Sequence, residues 1–138
     1  MEKITVRASQ SYDVLTGSGL LKDAGKYAAE VLRSRRTMIV SDDNVFPIYG
    51  KTLKSSLEKE GFQVSEFVFP HGEQSKSHTV LMQVYEALAK NHITRSDSLF
   101  ALGGGVTGDL SGFAAATFLR GIDYVQVPTS LLRSEEHT

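Results

Sequence analysis

The strongest chemical signal in the sequence is a glycine-rich segment, GGGVTGD, at residues 103–109. Gly103, Gly105 and Gly108 have the G-x-G-x-x-G spacing, after an apolar run and before an Ala-rich segment. Glycine lacks a Cβ, so the backbone can approach a pyrophosphate closely, and the amides at a helix start attract phosphate. Asp109 suits a sugar or nicotinamide hydroxyl better than a bare phosphate. The segment predicts nucleotide binding, with a tight turn and close helix packing as the alternative.

Two further polar segments follow apolar runs. Asp42 and Asn44 come after the run TMIV, where a carboxylate and an amide can hydrogen-bond a ribose. The alternative for both is an N-cap of the next helix, because Asp and Asn are favoured caps. The loop PHGEQSK at 70–76 offers an anion, Glu73, and a cation, Lys76, to a polar ligand. The alternative for this loop is an ordinary solvated connection.

Three other positions carry weaker signals. Thr129 and Ser130 follow the run YVQV, where hydroxyls either bind a ligand or cap a helix. Arg120 is suited to bidentate capture of a phosphate or carboxylate, although helix-end arginines also commonly face solvent. His71 has no second histidine at metal-ligand spacing, so we expect it to be an exposed side chain.

The elements that position these residues follow from hydrophobic periodicity. Alternating or short apolar runs predict strands, and i, i+3, i+4 spacing predicts helices. The predicted strands are 3–8, 12–15, 37–40, 64–69, 99–102 and 124–127, and the predicted helices are 20–32, 45–57, 77–88 and 106–119. Strands and helices alternate after residue 19, which predicts a parallel sheet with helices on both faces, preceded by a short strand or hairpin.

Composition limits the class of protein. The chain has 138 residues, enough for one domain, and 15 Lys+Arg against 16 Asp+Glu give a net charge of −1. This balance predicts no nucleic-acid partner and no membrane partner. With no cysteine, the chain has neither a disulfide scaffold nor a thiolate zinc site. The first residues, MEKITVRASQ, contain no apolar secretory core, so we expect a cytoplasmic protein.

Three segments together resemble the 3-dehydroquinate synthase family. They are PHGEQSK at 70–76, GGGVTGDLSGFAAATFLRG at 103–121 and QVPTSLL at 126–132. The resemblance covers residues 1–132 and implies a Rossmann-like α/β domain that binds NAD. The family continues into an all-α domain that carries Glu and His ligands for zinc or cobalt, and no such segment is in this sequence.

The resemblance also implies residue roles. The positions that it assigns to NAD binding are Asp42, Asn44, Gly72, Glu73, Lys76, Gly104, Gly105, Val106, Thr107, Gly108, Asp109, Thr129 and Ser130. Arg120 matches an arginine that binds substrate across a homodimer interface. The resemblance assigns no catalytic residue and no metal ligand to this chain.

The family reaction converts 3-deoxy-D-arabino-heptulosonate 7-phosphate to 3-dehydroquinate and phosphate in the shikimate pathway. It uses NAD for a transient oxidation, phosphate elimination and an aldol cyclisation. Three alternatives remain: a related sugar-phosphate cyclase of the 2-deoxy-scyllo-inosose synthase type, a glycerol or iron-type alcohol dehydrogenase, and a non-catalytic nucleotide-binding module.

The last six residues, RSEEHT at 133–138, depart from the family pattern. A common short-read sequencing adapter encodes this hexapeptide in frame, so we expect residues 133–138 to be a non-native tail. We therefore expect the chain to be a truncated form that is inactive by itself.

Overall fold

The computed structural model describes residues 3–8, 11–16 and 20–129. In chain order the elements are β1 (Lys3–Ala8), β2 (Ser11–Thr16), α1 (Leu20–Val31), β3 (Arg36–Asp42), α2 (Lys51–Lys59), β4 (Gln63–Phe69), α3 (His78–Lys90), β5 (Ser98–Gly103), α4 (Gly105–Thr117) and β6 (Asp123–Pro128). These elements confirm the predicted α/β class.

The strands form one six-stranded sheet in the order β2-β1-β6-β5-β3-β4. The four strands β3, β4, β5 and β6 are parallel, as predicted. The N-terminal hairpin joins the same sheet, because β1 pairs antiparallel with both β2 and β6. The sheet is therefore mixed, with an antiparallel hairpin along one edge of a parallel core.

Helices cover both faces of the sheet, and the side chains of β3 point alternately into the two cores that these helices form. Ile39 points to a core shared with α1 and α2, through residues such as Leu21 and Leu53. Met38 and Val40 point to a second core, shared with α3 and α4. All three strand residues have no accessible surface. A strand buried on both faces reads as a continuous apolar run, which is what TMIV shows.

The α1–α2 contact depends on a glycine. The Gly25 amide donates to Ser56 Oγ at 2.9 Å, and Ser56 Oγ donates to the Lys22 carbonyl at 2.7 Å. A Cβ on Gly25 would lie 1.9 Å from the Ser56 carbonyl oxygen. Only a residue without a side chain fits where the two helices meet this closely.

Two helix ends carry residue types that favour a helix end, and two predicted helices differ from the structure at one end. Ser77 caps α3, and Gly61 follows α2 with a φ of +88°. The predicted helix 45–57 instead begins as a short π-helical turn, Phe46–Gly50, with Pro47 at its start. The predicted helix 106–119 ends early, at Thr117, because the backbone of Phe118 is extended (ψ of 123°) and Leu119 then has a left-handed φ of 49°.

Candidate functional site

The order of the strands opens a crevice at one edge of the sheet. β3 and β5 are neighbours, but α2, which follows β3, lies on one face and α4, which follows β5, lies on the other. The chain therefore leaves these two carboxyl ends in opposite directions. In open α/β sheets this switch point is where ligands bind. Residues 42–44 line one side of it and residues 103–105 the other.

The start of α4 presents free amides to this crevice. No side chain caps Gly104, and the first helical hydrogen bond runs from the Gly108 amide to the Gly104 carbonyl at 2.9 Å. The amides of Gly105, Val106 and Thr107 consequently have no acceptor within the helix. A Cβ on Gly104 or Gly105 would meet nothing within 4 Å. The turn thus combines donors that lack a helical acceptor with open space at Gly104 and Gly105, which favours an anion.

The other glycines of the motif serve packing. A Cβ on Gly103 would lie 2.6 Å from Thr107 Oγ1, and one on Gly108 would lie 2.7 Å from Gln126 Nε2. Gly103 and Gly108 therefore allow close packing, as the alternative interpretation expects. Gly104 and Gly105 form the open turn. The cofactor role of Gly108 stays a prediction.

Three buried side-chain hydroxyls have no hydrogen-bond partner in the described part of the chain; one, Ser111 Oγ, lies a turn further along α4, and the other two lie near the glycine turn. They are Thr107 Oγ1, in the first turn of α4, and Thr129 Oγ1, directly after β6. Thr129 is beside the glycine turn because Pro128 is paired with Gly103. Unpartnered buried polar atoms are uncommon in folded proteins, so each calls for an explanation. Ser130 lies outside the described residues, as do residues 133–138.

The loop after β4 reaches α4 through an ion pair. Lys76 Nζ lies 2.9 Å from Asp109 Oδ2, and both side chains are more than half exposed. The hydrogen bond to Asp109 raises the pKa of Lys76. Glu73 is exposed and begins a single 3-10 turn after Gly72, which has a φ of +112°. The loop at 70–76 and the glycine-rich segment at 103–109, which were predicted separately as site segments, therefore meet at the start of α4.

The loop after β3 is held by its own hydrogen bonds. Asp42 Oδ1 accepts from the amides of Asn44 at 2.9 Å and Val45 at 2.8 Å, so this oxygen caps the turn. The Asn44 side chain is exposed. The capping alternative thus describes one oxygen of Asp42, and a ligand role for the two residues stays a prediction.

An exposed His–Asp pair joins the loops after β3 and β4. Asp43 Oδ1 lies 2.5 Å from His71 Nδ1 and also accepts from the His71 amide at 3.0 Å. The hydrogen bond lowers the pKa of Asp43 and raises that of His71. His71 is exposed, as expected, but it is not isolated. Local sequence patterns do not predict this pairing, because 28 positions separate the two residues.

Arg120 lies far from the glycine turn. It is exposed in the 3-10 turn at the opposite end of α4, with a φ of 69°. α4 has 13 residues, so about 20 Å of helix separates Arg120 from Gly104. Within this chain the structure does not bring Arg120 to the crevice.

Residues 3–8, 11–16 and 20–129 contain neither a metal cluster nor a candidate membrane span. No group of three or more His, Asp or Glu side chains is placed to hold a metal ion. No helix there has both the length and the apolar character that a membrane span needs.

The fold and crevice define a doubly wound α/β protein with a candidate ligand site at the carboxyl ends of its strands. A family model described as "3-dehydroquinate synthase N-terminal" matches residues 66–136. The chain belongs to this 3-dehydroquinate synthase family. It is 46% identical over 130 residues to the 3-dehydroquinate synthase of Streptococcus suis strain 05ZYH33. That match covers 94% of this chain, which spans only 37% of the relative's length.

Two solved structures are similar to this chain. A crystal structure of 2-deoxy-scyllo-inosose synthase with carbaglucose-6-phosphate, NAD⁺ and Co²⁺ matches with a TM-score of 0.77 and 23% identity. The match covers 92% of this chain and 34% of the chain of the 2-deoxy-scyllo-inosose synthase, and it shows a shared fold. The 2-epi-5-epi-valiolone synthase of Streptomyces hygroscopicus, with NAD⁺ and Zn²⁺ bound, matches with a TM-score of 0.74 and 32% identity. That match covers 86% of this chain and 32% of the other.

Proposed function

We propose that this chain is the NAD-binding part of a 3-dehydroquinate synthase. The observation that carries the proposal is the open start of α4, where free amides and the side-chain-free residues Gly104 and Gly105 face the crevice between β3 and β5. A dinucleotide pyrophosphate supplies the negative charge that such a helix start favours.

The residues around the turn fit NAD. A Cβ at Gly104 or Gly105 would stand in the space where a phosphate would approach the backbone. The unpartnered hydroxyls of Thr107 and Thr129 lie next to this space and would gain acceptors or donors from a bound cofactor. Bound NAD supplies a reversible hydride acceptor, and the protein supplies its orientation.

The charged residues suit the polar ends of the cofactor. We propose that Asp42 and Asn44 face the adenosine ribose from the β3 side of the crevice. Glu73 and Lys76 close the β4 side, and Asp109 hydrogen-bonds a hydroxyl or the nicotinamide end. The Lys76–Asp109 ion pair supports this arrangement, because it already holds the β4 loop against the start of α4.

The activity of the whole protein is a further proposal, since the chain spans 37% of its relative. We propose that the complete protein converts 3-deoxy-D-arabino-heptulosonate 7-phosphate to 3-dehydroquinate and phosphate in the cytoplasm. Its zinc or cobalt ion would be held by residues outside this chain. The remote position of Arg120 supports a homodimer in which it reaches the substrate of the other subunit.

Phosphate release by the complete protein tests the activity. We expect phosphate from the heptulosonate phosphate with no accumulation of NADH, because the oxidation is reversed within each turnover. Release from glucose 6-phosphate instead would indicate a 2-deoxy-scyllo-inosose synthase. Net NADH from glycerol or another alcohol would indicate a dehydrogenase and contradict the proposal.

Calorimetric titration of the 138-residue chain with NAD tests the cofactor role by itself. Saturable binding at one site is expected. A chain that is folded by circular dichroism and shows no heat of binding at millimolar NAD would contradict it.

A further inference from the structure

β6 contacts the beginning of α4 through two side chains. Tyr124 and Gln126 are two positions apart on the strand and face the same helix. The Tyr124 hydroxyl donates to the Gly108 carbonyl at 3.1 Å. Gln126 Nε2 fills the space that a side chain on Gly108 would take, and a Cβ on Gly112 would lie 3.6 Å from Tyr124 Oη. The glycines of α4 therefore let β6 approach the helix backbone directly.

Few hydrogen bonds from other elements reach the backbone of α4 in its first turns. Residues 103, 104, 105 and 108 are glycines, which have no side chain to fix the turn by packing. Across the described residues, Tyr124 provides the only side-chain hydrogen bond from another element to the backbone of this helix. Two other polar links reach α4, and both end on its side chains. They are the largely exposed Lys76–Asp109 ion pair in its first turns and the Tyr85–Thr117 hydroxyl contact at the opposite end.

The donor is permanent under physiological conditions. Burial, together with the nearby negative charge of Asp109, raises the pKa of Tyr124 to about 12. The hydroxyl consequently keeps its proton throughout the working pH range, and the bond to Gly108 does not titrate.

We propose that Tyr124 is a positioning residue for the phosphate-binding start of α4. By anchoring the Gly108 carbonyl to β6, it keeps the amides of Gly105, Val106 and Thr107 directed into the crevice. This inference rests on the proposed function, because it assigns Tyr124 to the binding of the cofactor pyrophosphate without contact to the cofactor.

Tyr124→Phe and Tyr85→Phe form a matched pair of variants of the 138-residue chain. Each removes one hydroxyl that is bonded to α4, the first near its start and the second near its end. We expect Tyr124→Phe to weaken NAD and ADP-ribose binding 3- to 10-fold, the range that the loss of one hydrogen bond gives. Adenosine, which has no pyrophosphate, should bind both variants as it binds the wild type.

A purely structural role predicts a different pattern. Unchanged NAD affinity in Tyr124→Phe, or an equal loss in Tyr85→Phe, would overturn the positioning role.

Amide hydrogen exchange keeps the inference testable without the cofactor. Tyr124→Phe should speed exchange of the Gly108 and Asp109 amides 3- to 10-fold and leave residues 114–117 unchanged. Tyr85→Phe should do the reverse, and equal exchange in both variants would contradict the inference. A wild-type chain that fails to bind NAD would refute the proposed function, whereas the exchange data would still decide the role of Tyr124.

Discussion

Replacing Gly105 by alanine separates cofactor binding from folding. Gly105 is the first residue of α4, its φ is not positive, and a Cβ there would meet nothing within 4 Å. The protein should therefore accept the methyl group without strain. A phosphate that approaches the amide of Gly105 would instead meet it directly.

The two effects have opposite signs. Alanine reduces the conformational freedom of the unfolded chain, so the free energy of unfolding should rise by about 0.5–1 kcal/mol. One lost hydrogen bond to a charged group costs about 1.5–3 kcal/mol. That loss corresponds to a Kd for NAD that is about 10- to 150-fold weaker. A variant that is more stable and binds less well is a signature that general damage to the fold does not produce.

Denaturant unfolding and calorimetry with NAD measure both quantities. Gly112→Ala is the matched control, because it makes the same change on the same helix two turns later, where the Cβ is in ordinary contact at 3.6 Å. The control should bind NAD like the wild type. If Gly105→Ala also kept wild-type affinity, the cofactor phosphates would not lie at the start of α4.

Three other perturbations test local features of the structure. Gly25→Ala puts a Cβ 1.9 Å from the Ser56 carbonyl oxygen, so it should lower the free energy of unfolding by at least about 3 kcal/mol, and a loss below 1 kcal/mol in a denaturant melt would contradict the close helix contact. Ser77→Ala removes the cap of α3 and should cost about 1 kcal/mol in the same assay, with no loss expected if the cap were unimportant. An NMR titration should place the pKa of His71 above 6.5 and show it falling in Asp43→Asn; an unchanged value would show that the pair does not form in solution. Since the pKa of Asp43 is lowered and that of His71 is raised, the pair stabilises the fold fully between about pH 3.8 and 6.5. Its contribution is lost as the pH falls through the folded-state pKa of Asp43 or rises through the folded-state pKa of His71.

Local patterns predicted most of the fold. The run TMIV indicated a strand buried on both faces, and β3 is buried on both faces. Ser77, a residue type that favours N-caps, caps α3, and Gly61 follows the end of α2 with a left-handed φ. These features depend on neighbouring residues, so the sequence contains enough information to predict them.

Long-range pairing was harder to predict. The pairing of β1 with β6 joins residues more than 100 positions apart, and the sequence of neither strand indicates which strand it pairs with. The early end of α4 was also missed, because helical spacing continues through Leu119 although its backbone turns left-handed. Backbone conformation at one residue is set by what surrounds it, which periodicity does not report.

In the candidate site too, local features were predictable from the sequence and long-range contacts were not. The glycine spacing and the strand-end rule located the crevice, and the structure brings 42–44, 103–105 and the Lys76 loop together there. Sequence reasoning treated the glycines as one motif, whereas the structure separates the open ones from those that pack against β6. It also missed Tyr124, whose contact with Gly108 spans 16 positions and depends on the register of β6.

Chemical-shift mapping of the ¹⁵N-labelled chain during a titration with NAD would locate the cofactor site residue by residue. We expect saturable shifts at the amides of Gly104, Gly105 and Val106, with smaller shifts at Asp42 and Asn44 across the crevice. The α1–α2 contact at Gly25 serves as an internal reference that should not move. Shifts confined to other surfaces, or none at saturating NAD, would contradict a dinucleotide site at the start of α4.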